Sequence, residues 1–217
     1  VGQPLITDVL RVLKVAEIYP DCRIRLDANG NFKPEQALEL LAQIPLERLD
    51  YFEQPCASID ELVELRKIIG HLKLEVLIAA DESIRKAADP LEVARRGAAD
   101  IVMLKVQPLG GIENCLEIAL ETGLPAVVSS ALETSIGLAQ GAYLAAALPE
   151  LAFDCGLGTL SLMESDIASE PLLPVGGRLI PREVEPDQSL LQKYQASPER
   201  TKWWLARLER CFELLEA

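Results

Sequence analysis

The sequence predicts an α/β protein whose parallel sheet curves into a TIM-like (β/α) barrel, on three observations. Short apolar runs alternate with amphipathic segments along most of the 217 residues, a rhythm that calls for parallel strands joined by crossover helices. Hydrophobic residues make up 49% of the chain but aromatics only 5%, which suits a Val/Ile/Leu/Ala sheet covered on both faces. Polar residues recur at the end of nearly every strand-like run, as at the C-terminal rim of a barrel. An open doubly wound sheet would gather them at one switch point instead.

The elements follow in order. Residues 7–18 have helical periodicity, with Thr7 as N-cap and Pro20 just beyond the end. Strand 23–28 leads to a helix that opens at Pro34, a residue type favoured in the first helical turn. Strand 49–54 precedes Ser58-Ile59-Asp60-Glu61, a capping box that starts a helix reaching about residue 69. Strand 76–81 is followed by a short helix, 90–96, closed by Gly97, and strand 101–106 by a helix over 111–122 with Gly123 behind it. Strand 125–130 feeds a long Ala/Leu helix, 135–147, which Pro149 ends.

A last short strand is expected at 151–155, and GLGTLSLMESDIA is a candidate for one more. PVGGRLIPREVEPDQ reads as an extended loop, and 187–216 as one or two helices with Trp203 and Trp204 packed on the barrel or on a partner surface. The expected organisation is an incomplete barrel over 1–180 and a helical tail over 181–217. A closed barrel of eight strands needs one more strand ahead of Thr7, so the first strand is expected to be missing.

Bulk properties exclude some classes. A net charge of −13 without any basic run argues against a nucleic-acid partner. No apolar run reaches the roughly 18 residues of a membrane span, and no charged leader precedes an apolar core, so a cytoplasmic protein without a membrane partner is expected. The five cysteines show no CxxC spacing and read as buried thiols. His71 is the lone histidine and falls in a helix-to-strand connection, where a surface role is expected. Its isolation excludes a Ser-His-Asp triad and zinc sites built on several histidines. Gly110-Gly111 before a helix reads as a turn, because no phosphate-binding glycine pattern surrounds it.

Four residues carry the chemistry. Asp27, Glu53, Asp81 and Lys105 end successive strand-like runs at spacings of 26, 28 and 24 residues, about one strand plus one crossover helix each. Side chains alternate along a strand, so Asp27 shares a face with Arg25 and Asn29, Glu53 with Tyr51, Asp81 with Ala79, Lys105 with Ile101 and Met103, and Ser129 with Val127. Three inward carboxylates at one rim would repel one another unless a cation joined them. An all-oxygen donor set suits Mg²⁺ over zinc. Each acid alone is as readily an ordinary loop or capping residue; the three in succession, followed by a lysine between Leu104 and Val106, favour the site. Glu82 has the opposite parity and reads as a partner behind Asp81 or as half of a surface salt bridge. Asn29 and Ser129 are candidate contacts for a substrate.

LDAN (26–29), FEQPC (52–56), ADES (80–83), MLKVQPLGG (103–111) and SSALETSIGL (129–138) together resemble the enolase superfamily. The likeness spans roughly 1–165 and is greatest for the o-succinylbenzoate synthase branch, beside the muconate-cycloisomerase-like group. It implies Asp27, Glu53 and Asp81 as Mg²⁺ ligands, with Lys105 stabilising an ene-diolate rather than acting as base. The implied reaction is the syn-dehydration of 2-succinyl-6-hydroxy-2,4-cyclohexadiene-1-carboxylate on the route to menaquinone or phylloquinone. Such sequences carry a KxK motif on the first barrel strand, followed by Val-Gly, so the resemblance puts the general base immediately before Val1. An N-terminal capping domain is expected to be missing as well. N-acylamino-acid racemase, dipeptide epimerase or cycloisomerase activity on the same scaffold stays open, as does a non-catalytic metal-binding module.

Overall fold

The computed structural model describes residues 5–214; Val1 and Gly2, and the lysine position expected before them, lie outside the described residues. The order is α1 (Leu5–Ile18), β1 (Ile24–Asp27), α2 (Pro34–Leu41), β2 (Leu49–Glu53), α3 (Ile59–His71), β3 (Ile78–Ala80), α4 (Glu82–Arg85), α5 (Glu92–Arg95), β4 (Ile101–Leu104), α6 (Val106–Leu109), α7 (Ile112–Thr122), β5 (Ala126–Val128), α8 (Ser135–Ala147), α9 (Gln188–Lys193) and α10 (Pro198–Glu213). Strands β1 to β5 form one parallel sheet in sequence order. Consecutive neighbours joined by helices on one side are the winding of a barrel.

Two cores separate the faces of this sheet. Leu26, Phe52, Ile78, Val102, Leu104 and Val128 point outward and pack with the helices in the larger cluster. Tyr51, Ala79, Ile101, Met103 and Val127 fill the inner face with Phe153. These inner residues are the ones that share parity with Glu53, Asp81, Lys105 and Ser129, so the strand alternation read from the sequence holds. The sheet curls far enough for its first strand to reach the far side. Arg25 lies over the Tyr51 ring at 5.0 Å and donates from Nη1 to the Asp154 carbonyl at 2.7 Å, while Tyr51 and Phe153 meet edge to face at 5.6 Å.

Local chemistry fixes the helix ends. Ser58 accepts from the Glu61 N–H and the Glu61 carboxylate accepts from the Ser58 N–H, which is the capping box expected. Gly123 ends α7 at φ 62°, a left-handed cap that favours glycine. Arg48 ties the end of α1 to the segment after it, donating to Ala16 O at 2.7 Å, to Cys22 O at 2.6 Å and to Tyr19 O.

Several expectations are corrected. Thr7 sits inside α1 rather than capping it. Residues 82–85 and 106–109 are short helices where turns were expected, the second starting at the last residue of the expected strand 101–106. No strand forms over 151–155; the sixth sheet position is a single parallel bridge between Ser129 and Gly156. GLGTLSLM yields a 3₁₀ turn over Thr159–Leu162 rather than a strand. That turn is held by side-chain bonds to backbone, Thr159 Oγ1 to Ala131 O and Ser161 Oγ to Gly158 O, a local alternative to a sheet ladder. Trp203 and Trp204, expected on the barrel or on a partner surface, are 44% and 52% exposed and meet edge to face at 4.7 Å. Cys56 and Cys115 are buried as expected, whereas Cys22 and Cys211 are exposed. No described helix is long and apolar enough to cross a membrane.

Candidate active site

The strand ends deliver the acids to one rim. Asp27 is the last residue of β1 and pairs in register with Glu53, the last of β2. Asp81 follows β3 directly, at the start of α4. Lys105 follows β4 with φ −123° and ψ 113°, still extended, so it keeps the inward phase of Ile101 and Met103. Ser129 continues β5 and donates its N–H to Leu104 O at 2.9 Å. The alternation stops at Asp27 on the first strand. Asn29 has turned to φ 48°, donates its N–H to Asp27 Oδ1 at 2.8 Å, and lines a cleft of about 360 Å³ with Gly30, Glu82, Ser83 and Lys86.

Burial grades the three acids. Asp27 is exposed, Glu53 is 9% exposed and Asp81 2%. The Glu53 carboxyl is pushed up to about 8, first by burial and then by the negative charges of Asp27 and Asp81, with Lys105 pulling the other way. Glu53 therefore holds a proton near neutrality unless something positive joins the three acids. Asp81 already has cations on it. Lys105 Nζ donates to Oδ2 at 2.6 Å, and Arg85 Nε approaches Oδ1 and Oδ2 at 3.1 and 3.2 Å. Arg85 also donates to Glu82 Oε1, while Glu82 Oε2 is buried with no hydrogen-bond partner.

Three carboxylates at one rim, the central one holding a proton through burial and its neighbours' charge, are an all-oxygen donor set whose chemistry suits a hard divalent cation. The set is not gathered, however: no group of three His, Cys, Asp or Glu among the described residues could hold a metal ion as they stand. The sequence-derived triad is brought to one rim, with Asp81 turned to Lys105 and Arg85.

Sequence reasoning missed three residues here. Gln54, fully buried beside Glu53, donates from Nε2 to Ser83 Oγ at 2.7 Å and to Cys56 O at 2.9 Å. Its Oε1 accepts the N–H groups of Asp81 at 3.0 Å and of Ser83 at 3.1 Å. An amide on the outward face of a core strand was the available signal, since burial obliges it to find partners. Arg85 stands four residues after Asp81, the spacing of a helical ion pair. Glu133 is the sole charge between Glu121 and Glu150. It is 7% exposed, and burial raises its carboxyl against the opposing pull of Lys105.

Comparison with known proteins agrees with this architecture. The family model described as "Enolase C-terminal domain-like" matches residues 1–186. The o-succinylbenzoate synthase of Mycobacterium ulcerans is 47% identical over 215 residues, which is 99% of this chain and 63% of that protein. The o-succinylbenzoate synthase of Mycobacterium tuberculosis is 48% identical over the same length, 64% of that protein. This chain thus spans somewhat under two thirds of the curated relatives it matches. Among solved structures, the muconate lactonizing enzyme of Pseudomonas putida superposes with a TM-score of 0.78 at 27% identity, over 89% of this chain and 56% of that one.

Proposed function

This chain belongs to the enolase C-terminal domain-like family, and on that premise we propose that it is the barrel portion of a Mg²⁺-dependent o-succinylbenzoate synthase. The observation that carries the reading is the Glu53 carboxyl, raised to about 8 between Asp27 and Asp81 and one strand away from the Asp81–Lys105 pair. Burial and the two neighbouring acids disfavour a bare carboxylate there, and a bound divalent cation would take the place of the proton. Asp27, Glu53 and Asp81 are the residues that would hold Mg²⁺. When bound there, it would polarise a substrate carboxylate and stabilise the charge that develops as the α-proton leaves.

The remaining roles fall to this chain's side chains. Lys105 places a positive charge beside that developing charge, on the inner face of the barrel. Gln54 holds the Asp81 backbone, and Arg85 orients the Asp81 carboxylate from behind. Ser129 and Asn29 lie at the rim as candidate contacts for the substrate. The net change is loss of water from 2-succinyl-6-hydroxy-2,4-cyclohexadiene-1-carboxylate: the α-proton goes to a base, hydroxide departs with a proton, and the ring becomes aromatic. In this reading the base is a lysine of the KxK motif that the family resemblance implies, the setting is cytoplasmic, and the product feeds quinone biosynthesis. The tail over 181–217 would carry the exposed Trp203, Trp204, Leu208 and Phe212 against a capping domain.

The test is a Mg²⁺ titration of the intact protein followed by an assay on that cyclohexadiene carboxylate and on N-succinylamino acids. The synthase reading expects Mg²⁺-dependent dehydration and loss of Mg²⁺ binding by at least about tenfold in Asp81→Asn. Racemisation of N-succinylamino acids without dehydration would move the assignment to a racemase on the same scaffold. No Mg²⁺ effect at all would reduce the chain to a non-catalytic module.

A further inference from the structure

Where a sixth strand would lie, side chains hold the chain in place of a ladder. From Gly156 to Leu172 the one regular element is the 3₁₀ turn over Thr159–Leu162, and a single bridge, Ser129 to Gly156, joins this stretch to the end of β5. Its buried residues are Leu157, Leu160, Ala168 and Leu172. Backbone with so few ladder bonds and apolar contacts belongs to the part of a fold that opens most easily.

Two groups of hydrogen bonds fasten this stretch to the loop between β5 and α8. At the near end, the Gly156 N–H donates to Val128 O at 2.8 Å, and Gly156 O accepts the Ser130 N–H at 3.2 Å and the Ser130 hydroxyl at 2.8 Å. Thr159 Oγ1 lies 2.9 Å from Ser130 Oγ and donates to Ala131 O at 2.9 Å. At the far end, Asp166 reaches the first turn of α8. Its Oδ1 accepts the Ser135 N–H at 3.1 Å and its Oδ2 accepts the Ser135 hydroxyl, whose oxygen accepts the Leu172 N–H at 2.7 Å. Thr134, the N-cap of α8, makes no side-chain cap bond, so Asp166 supplies the acceptor and the negative charge that a helix start favours. Ser135 is fully buried, and groups buried there have no water to replace a lost partner. Next to Asp166, Ile167 O accepts the N–H of Asp187 at 2.8 Å, and Asp187 caps α9.

We infer that residues 156–172 form a strap that opens and closes as one unit over the β5–α8 loop, with Thr159 and Asp166 as its two latches. Closed, the strap lays Gly156 against Ser129 at the rim, where a Cβ would stand 3.0 Å from Ser129 Oγ, and it ties the start of α9 to the same edge. Open, it frees the loop over 129–135 while the sheet stays folded. The strap needs neither a cation nor the reaction proposed above.

Amide hydrogen exchange on the intact protein tests the strap, read at amides remote from each substitution. Asp166→Ala should speed exchange at Ser130, Gly156 and Asp187 by about 10- to 100-fold, as expected for losing bonds to a charged acceptor. Thr159→Val should speed it about threefold to tenfold at Ser135, Leu172 and Asp187, and Thr159→Ser, which keeps the hydroxyl, should exchange like the wild type. In all three variants Phe52 and Val102, whose N–H groups bond Leu77 O and Pro125 O in the sheet, should keep wild-type protection. Acceleration confined to the substituted latch would make the two latches independent and overturn the strap. Acceleration of Phe52 and Val102 in step with the others would overturn it too, because the opening would then be global. If Asp166→Ala does not fold, the Thr159 pair still decides, and a serine variant that behaves like the valine one counts against a latch made by the hydroxyl.

Discussion

Gln54 Oε1 accepts the backbone N–H of Asp81 at 3.0 Å, so the carboxylate most deeply buried at the rim is aimed by the residue next to the rim's central acid. The same oxygen accepts the Ser83 N–H, and the amide nitrogen donates to Ser83 Oγ and Cys56 O. Gln54 holds φ at 35° while doing so, a left-handed conformation that costs a non-glycine residue on the order of 1 kcal/mol. Gln54→Leu keeps the volume and strands two buried N–H groups and a hydroxyl. We expect a loss of about 3 kcal/mol in urea denaturation, together with weaker Mg²⁺ binding, because Asp81 loses its anchor. Unchanged stability would mean that water replaces the amide.

The contrast between Gln54 and its neighbours shows what a sequence makes visible here. Asp27, Glu53, Asp81 and Lys105 are legible because strand alternation is a property of the backbone alone, and each follows at most one residue past a strand. Gln54 and Arg85 matter through a partner, Asp81, that lies 27 and 4 residues away, and Glu133 stands out through its burial. Pairings of that kind depend on how strands stack. The last strand failed for a related reason. LAFDC alternates plausibly, but Phe153 goes inward to Tyr51 and only Gly156 comes close enough to bond Val128 O, at 2.8 Å. A Cβ at that position would meet Ser129 Oγ at 3.0 Å, so close approach there, not β propensity, sets where the ladder forms.

Stability without metal should fall as pH rises. The Glu53 carboxyl, raised to about 8 by burial and by Asp27 and Asp81, binds a proton in the folded state that the unfolded chain has already released above about 4.5. Between those values the folded state holds more protons, so unfolding free energy declines with pH, by at most about 1.4 kcal/mol per unit from this group. Below the lower value both states are protonated and the effect ends. Denaturation of metal-free protein from pH 5 to 8 checks the slope, and Glu53→Gln should flatten it.

The same proton must leave when a divalent cation binds. Mg²⁺ affinity should therefore increase with pH up to about 8 and then level off, with close to one proton released per ion at neutral pH. Calorimetric titration in two buffers of different ionisation enthalpy measures that release directly. An affinity independent of pH between 6 and 8 would remove Glu53 from the ligand set.

Lys105→Met separates the lysine's two influences. Its ammonium competes with a cation for Asp81, so Mg²⁺ should bind the variant at least as tightly as the wild type. The charge that it would lend to the reacting substrate is lost, and turnover in the intact enzyme should drop about 10²- to 10³-fold. Parallel loss of metal affinity and turnover would instead make Lys105 a structural support of the rim.

Arg48 offers a control at the opposite end of the barrel. Helix α1 has no basic residue in its last turn, and the Arg48 guanidinium, from the turn before β2, meets the α1 carbonyl of Ala16 together with Tyr19 O and Cys22 O in the segment just after the helix. A planar fork of five donors can serve three carbonyls at once, whereas an ammonium at the end of a lysine cannot match the spread. Arg48→Lys should cost about 1 kcal/mol and Arg48→Met about 2 kcal/mol, read from denaturation midpoints. Because these bonds lie at the N-terminal ends of the strands, Mg²⁺ affinity and the pH slope set by Glu53 should stay at wild-type values. A variant that lost both stability and metal affinity would show that α1 and β1 transmit strain along the sheet to Asp27.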